Sequence, residues 1–365
     1  MKKALVTAAF LGTLTFSAFA APTITLYGSL DDGLVYRHTD YDRKGVDSVD
    51  TVSMESGWNT AARWGVRGEE KLGSVTLGYK LESGFSGDTG VSAQGGRLFG
   101  REALLSLKSD YGTVYFGRLG GVMSDYPTLG QLGRTTPFGT AFSNLGGHGS
   151  TGSAWARYDN AIAYASPVFA GFNLDAMYSF KSDSVTNKTS REGSSDSDRY
   201  AAVTLGYKNG GLDLLLAADY TMYGNSASYA ATHDVDNGWS VIFGGIYDFG
   251  AVRIFAKGTY FDNQTQALDT FDILPVAVKG WGASVGARVP AFGGAFGAEV
   301  GYRDAKDVDD SNQKYKRWNA SLRYDYSLSK RTSVYAAGGY VQEKDKAAGE
   351  TPNAVLVGGG LIHKF

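Results

Sequence analysis

The chain has no cysteine in 365 residues and only 7 prolines. Without cysteine there are no disulfide frameworks, no thiolate zinc sites and no cysteine nucleophiles. Its four histidines, His38, His148, His233 and His363, show no paired ligand spacing and sit in no recognisable Ser-His motif. Gly120-Gly121 and Gly358-Gly359-Gly360 open no helix, so neither reads as a phosphate loop. No enzymatic activity, metal or cofactor is therefore expected. Positive charge is not in excess either. The formal charge is −2, which argues against a nucleic-acid partner. After residue 20 there is no run of 18 apolar residues, so a transmembrane helix is unavailable.

What the chain does have is glycine (50), tyrosine (23) and phenylalanine (19), with no collagen-like period. The first twenty residues stand apart. Met1-Lys2-Lys3 is a positive start, Ala4 to Phe16 is apolar and small, and Ala18-Phe19-Ala20 is a small-x-small cleavage signal. Residues 1–20 read as a secretory signal peptide. Without Lys2 and Lys3 the basic count falls to 33 against 37 acidic residues, a net charge of −4.

The remainder, residues 21–365, is a series of period-two segments. Phe172, Leu174, Ala176, Tyr178 and Phe180 alternate with Asn173, Asp175, Met177 and Ser179. Leu212, Leu214, Leu216, Ala218 and Tyr220 do the same against Asp213 and Asp219. Trp239, Val241, Phe243, Gly245, Tyr247 and Phe249 form another row, whose opposite side is weakened by Ile242 and Ile246. Trp318, Ala320, Leu322, Tyr324 and Tyr326 oppose Arg317, Asn319, Ser321, Arg323 and Asp325. Segments of about ten residues exceed the ~5–6 of an ordinary strand and suit a tilted bilayer crossing.

Turn spacing carries more. Short turn signals centre near 71, 110, 168, 210, 249, 291 and 330, at intervals of 39, 58, 42, 39, 42 and 39. Two strands and one longer loop fit each interval of about forty residues. Polar connections fall mid-interval, at 38–53, 182–198, 223–236, 263–276, 305–313 and 343–353. Seven turns and eight longer loops make 15 connections and 16 strands. Short turns on one side and long loops on the other is the outer-membrane barrel pattern. The 58-residue interval holds an overlong, Gly/Ser/Thr-rich stretch at 119–156, which in a wide barrel can either hang in solvent or fold into the lumen. A soluble secreted β-sandwich or adhesin is the rival class. It needs strands that pack two apolar faces, whereas these offer one each.

Several stretches resemble the Gram-negative general porins. They are Ile24-Thr25-Leu26-Tyr27-Gly28-Ser29-Leu30-Asp31-Asp32-Gly33, Ala62-Arg63-Trp64-Gly65-Val66-Arg67-Gly68-Glu69-Glu70-Lys71-Leu72-Gly73, and Leu81-Glu82-Ser83-Gly84-Phe85. Leu98-Phe99-Gly100-Arg101-Glu102-Ala103 follows, running to Tyr111-Gly112-Thr113-Val114-Tyr115-Phe116-Gly117-Arg118. Then come Asn160-Ala161-Ile162-Ala163-Tyr164-Ala165-Ser166-Pro167 and a terminal Phe365. The resemblance covers residues 21–365 in order. It implies an all-β, 16-stranded antiparallel transmembrane barrel with an inward-folded third external loop, a homotrimeric assembly, and residence in the Gram-negative outer membrane. Outer-membrane lipid and lipopolysaccharide, the outer-membrane assembly machinery, and small hydrophilic solutes and ions are the partners it implies. Phe365 resembles the address which that machinery reads, and it also ends a last strand (Val355, Val357, Gly359, Leu361, His363) that must pair with the first to close the barrel.

The lumen is where function is sought. Counting alternation through strand two puts Ser56, Trp58, Thr60, Ala62, Trp64 and Val66 outward, hence Arg63 and Arg67 inward. Around Arg157, Tyr158, Asn160, Ile162 and Tyr164 are expected outward, with Arg157 and Asp159 inside. Arg101 shares parity with Ala103, Leu105 and Leu107, so alternation does not place it in water. The resemblance does, because Arg63, Arg101 and Arg157 match the family's basic wall cluster. The facing loop departs from the family's acidic pattern, having Asp125 against Arg134 and His148, with Pro137-Phe138-Gly139-Thr140 at its tip. Asp31 and Asp159 are acids that offset part of the positive side. Asp32 falls on the outer face, which suggests a subunit contact or a strand end. Residues 84–96, with Asp88 as their only charge, fit either a loop that latches a neighbouring subunit or a plain hairpin loop. The expected function is a passive diffusion pore with mild anion preference; the alternative is a phosphate- or organic-anion-selective channel of the same fold.

Overall fold

In the computed structural model the described residues are 23–142, 145–152, 156–185, 189–225 and 236–365. Residues 1–20, read above as a signal peptide, and His233 lie outside them. The wall begins with β1 (Thr23–Asp40), β2 (Val49–Ser56), β3 (Arg63–Leu72), β4 (Val75–Gly84), β5 (Glu102–Ser109), β6 (Gly112–Gly120), β7 (Arg157–Ala165) and β8 (Phe172–Ser179). It continues with β9 (Arg199–Asn209), β10 (Leu212–Met222), β11 (Gly238–Asp248), β12 (Arg253–Gln264), β13 (Val278–Ala291) and β14 (Gly294–Asp307). The last strands are β15 (Lys314–Ser327), β16 (Thr332–Asp345) and β17 (Asn353–Lys364).

Neighbours pair antiparallel all the way round, and β17 returns to β1 from Ser29↔Lys364 to Asp40↔Asn353. The last strand therefore closes on the first, as its alternation requires. β1 pairs with β2 through residues 32–39 and with β3 through residues 23–29. Those two strands are thus the parts of one interrupted stave, and the closed barrel has 16 staves. Closure removes the sheet edge, which in hydrocarbon would leave backbone groups without partners.

The barrel is apolar outside and polar inside. Leu26, Leu34, Leu105, Phe243, Val300 and Leu322 are exposed on the wall, while Asp175, Asp219, Lys257, Glu299, Arg303 and Arg317 are buried. This is the polarity expected when the outside meets lipid and the inside meets water.

All seven short turns are present, at 73–74, 110–111, 166–171, 210–211, 249–252, 292–293 and 328–331. The first comes later than its signal, because β3 pairs with β4 as far as Leu72↔Val75. Several long connections are shorter than polarity suggests. Pairing continues past the lipid into charged residues, for example Val278↔Asp307 and Lys316↔Lys344.

Among the described residues, the alternation counted from the sequence fails around Trp58 and around Tyr158. In the interrupted stave, Gly57 has φ +73 and residues 57–62 leave the sheet, so Trp58 and Ala62 are buried rather than outward. In β7 the register shifts between Gly117 and Leu119 of β6, and Asn160 adopts φ +48. Tyr158 consequently turns in and stacks on Tyr200 at 3.8 Å, while Ile162 stays outward as expected. The second is a bulge, which inverts the side-chain count beyond it; the first sets residues 57–62 against only residues 30–31 of β1, so Arg63 and Arg67 keep their inward parity.

Candidate functional site

The connection between β6 and β7, residues 121–156, packs on strands far from its own ends. Met123, Leu129 and Leu132 share one buried cluster with Leu215, Ala217 and Ile242. That contact explains why Ile242 breaks the polar row of β11: its neighbour is a loop, not water. Further on, Thr136 donates to the Glu299 carboxylate and Lys257 to the Gly147 carbonyl. Ser321 donates to the Leu145 carbonyl at 3.0 Å, and Arg323 Nη1 to that of Pro137 at 3.4 Å. The loop is thereby tied to the inward sides of β12, β14 and β15.

His148 lies in this tie. Burial, with Arg317, Lys257 and Arg303 nearby, lowers its pKa to about 3 from an ordinary 6.5. A depressed base favours the docked loop while neutral, so this contribution is full above pH 6.5 and falls as acid approaches pH 3. His148→Gln is expected to flatten the acid dependence of open-channel noise between those limits; an unchanged acid response in the variant would contradict it.

Beside the loop lies a cavity of about 410 Å³ lined by Arg63, Arg101, Arg157, Arg323, Asp125 and Tyr126, among others. Four guanidinium groups from separate parts of the wall meet one loop carboxylate there. Such a convergence of fixed charge in a barrel lumen is how pores discriminate ions.

Residues 4–346 match a family model described as Gram-negative porin. An outer membrane porin protein of Bordetella pertussis is 34% identical over 100% of both chains. The chain belongs to the Gram-negative porin family. A second relative, outer membrane porin protein 32 of Delftia acidovorans, is 28% identical over 100% of both chains. Among solved structures, an anion-selective porin from Comamonas acidovorans superposes with TM-score 0.68 at 24% identity, covering 94% of this chain and 100% of that one. The trimer form of a Vibrio cholerae outer membrane protein gives TM-score 0.62 at 16% identity, covering 95% and 100%. This chain is accordingly an outer-membrane porin, and its site is a channel lumen.

In the porin lumen Arg63, Arg101 and Arg157 do come together. Arg101 sits just before β5, so the parity of Ala103 and Leu105 never governed it. Its Nε donates to Glu82 at 2.6 Å, and Arg63 Nη1 lies 4.0 Å from the same carboxylate. Lys80 lies 3.7 Å from Glu82 and is also ion-paired to Glu102. Arg157 has no carboxylate partner among the described residues; its guanidinium lies 3.7 Å from the ring centroid of Tyr126.

Arg67 lines a different lumen cavity, of about 500 Å³, with Lys80 and Lys108. Arg134 pairs with Asp213 at 3.4 Å and donates to Asn173 at 3.2 Å. Asp31 and Asp159 are not free lumen charges. Asp31 is fully buried under bonds from Asn59, Thr60 and Tyr335. Asp159 is taken by Arg118 at 2.5 Å and Arg97 at 3.2 Å. Asp125 accepts the Thr140 N–H at 2.9 Å, and burial pushes its carboxyl up, against those hydrogen bonds and Arg157. Asp32 is outward, beneath Gly87 of the loop after β4, where a side chain on Gly87 would collide with it.

Sequence reasoning missed Glu82, Glu102, Tyr126 and Arg323. The parity of Glu82 with Lys80 was a usable signal for an inward acid. Nothing local marks Arg323 as a neighbour of Arg157, since the two come from staves far apart in sequence.

Proposed function

We propose that this porin is a passive diffusion channel for ions and small hydrophilic solutes, with loop 121–156 forming its constriction and a mild preference for anions. One observation carries the reading: Arg63, Arg101, Arg157 and Arg323 line one cavity opposite Asp125, whose carboxyl burial pushes up from its ordinary range. Glu82 offsets Arg101 and part of Arg63. Arg157, without a carboxylate partner among the described residues and 3.7 Å from the ring centroid of Tyr126, supplies the excess positive charge. The fold neighbour described as an anion-selective porin is consistent with this sign. Solutes cross by size exclusion and by the field of these groups, with no bond made or broken.

Reversal potential in a planar bilayer tests the sign, and solute scaling tests the mode. A general pore gives flux that falls smoothly with solute size. Saturable flux, or block by phosphate or an organic anion, would replace this reading with a solute-selective channel.

A homotrimer is part of the same proposal, resting on residues 84–96 read as a latching loop and on the trimeric fold neighbour. The porin is expected to run as a heat-modifiable trimer in mild detergent. A concentration-independent monomer by light scattering would refute it.

A further inference from the structure

Staves of a lipid-facing barrel run unbroken unless something is gained by breaking them, because each lost ladder bond must be replaced. The stave formed by β2 and β3 is broken by residues 57–62, and the replacements are specific. The Gly57 N–H donates to the Asp31 carbonyl at 2.6 Å. The N–H groups of Asn59 and Thr60 donate to Asp31 Oδ2 at 2.9 and 2.6 Å, and the Tyr335 hydroxyl donates to Oδ1 at 2.7 Å. Asp31 on β1 thus takes three N–H groups of the excursion, one on its backbone carbonyl and two on its buried carboxylate.

The excursion carries Trp58 into the barrel. Its ring lies 5.0 Å edge-on from Phe142 and 6.3 Å from Tyr335, and Phe142 is in turn 5.8 Å from Phe138. The Trp58 carbonyl accepts the Phe142 N–H at 2.5 Å. Phe142 has φ +61, a left-handed backbone that a phenylalanine adopts only when its surroundings impose it. Gly358 completes the seat, since a Cβ there would stand 2.9 Å from Trp58 Cζ3. From the same excursion, Asn59 accepts from Arg323 Nη2 and donates to Asp325, both at 3.1 Å.

We propose that residues 57–62 are a clamp for the tip of loop 121–156, with Asp31 as its base and Trp58 as the positioning residue that fixes Phe138 and Phe142. The clamp sets where the tip stands in the lumen and, through Asn59, where Arg323 stands beside it. Its consequence for conduction rests on the constriction reading above; its mechanical part does not.

The chain has no cysteine, so Thr140→Cys at the half-exposed tip takes a single nitroxide label. Electron paramagnetic resonance and bilayer recordings are made on the trimer-forming protein with Trp58, with Trp58→Phe and with Trp58→Ala. The label is expected to be immobile with Trp58 or phenylalanine and to gain a dominant mobile component with alanine. Open-channel noise should rise about twofold or more in the alanine variant, since loop motions on these timescales feed both readings. An immobile label in folded, heat-modifiable Trp58→Ala protein overturns the clamp. A mobile label with unchanged noise and conductance upholds the clamp and overturns the constriction reading. If the alanine variant fails to assemble, Trp58→Leu, which keeps more volume but no ring edge, carries the same expectations.

Discussion

Exchanging both Arg63 and Arg157 for glutamate is expected to turn anion preference into cation preference. The net charge of the chain points the other way, but most of that charge lies on long loops. There it is further from a permeating ion than the ~8 Å Debye length at physiological salt and is screened. What an ion meets is the cavity wall. Arg101 is locked to Glu82 at 2.6 Å, Asp31 and Asp159 are consumed by their own partners, and Asp125 is held in a protonation-prone site. Arg157, stacked on Tyr126, and Arg63, only loosely paired at 4.0 Å, are left to set the sign. One unbalanced charge at about 6 Å is worth roughly 1–3 kcal/mol to a monovalent ion between the dielectric limits of protein surface and water. The two exchanges each reverse such a charge, so the field changes sign rather than merely weakening. Reversal potentials in a KCl gradient measure this directly, and the parent preference should fade as salt rises. A cation-preferring parent, or a double variant with the parent's reversal potential, would show that the dominant field lies elsewhere.

The architecture was legible because lipid imposes one rule on every stave. Leu212 to Tyr220 and Trp318 to Tyr326 alternate as read, and their turns fall where the spacing puts them. The site was legible only in its cations. Arg63, Arg101 and Arg157 could be placed from the motifs around them, but what neutralises each depends on cross-strand register and on loop docking. Arg101 and Glu82 meet because Glu82 pairs with Glu102, one residue along from Arg101. Trp58 and Tyr158 were misplaced for a simpler reason. Tyr158 lies beyond a one-residue bulge that inverts parity, and Trp58 lies in an excursion that leaves the sheet; neither carries a compositional mark. Ile242 is the converse case. Its apolar side chain looked like noise in a polar row and was the trace of the loop that packs on it.

Removing Phe365 is expected to lower the amount of assembled barrel severalfold while leaving transport across the inner membrane intact. β17 is the strand whose pairing with β1 turns a sheet into a barrel, and Phe365 extends that pairing by one step. Its N–H donates to the Gly28 carbonyl at 3.1 Å and its carbonyl accepts the Gly28 N–H at 3.0 Å. Its ring lies across Gly28 so closely that a Cβ there would come within 2.3 Å of it. Glycine at that position and phenylalanine at the terminus are therefore one fitted pair, sealing the seam on the lipid side. Deleting the residue frees two backbone groups of Gly28 and uncovers the seam. Unsatisfied backbone groups in hydrocarbon cost several kcal/mol each, so an incompletely closed strand pair is selected against during insertion. Phe365→Tyr keeps the ring and both backbone bonds and should assemble at parental levels, whereas Phe365→Gly keeps only the bonds and should fall between. Gly28→Val attacks the same contact from β1 and should reproduce the loss. The measurement is the heat-modifiable, protease-resistant fraction in outer membranes. Parental amounts of folded protein from the deletion would mean that the seam closes without its last pair.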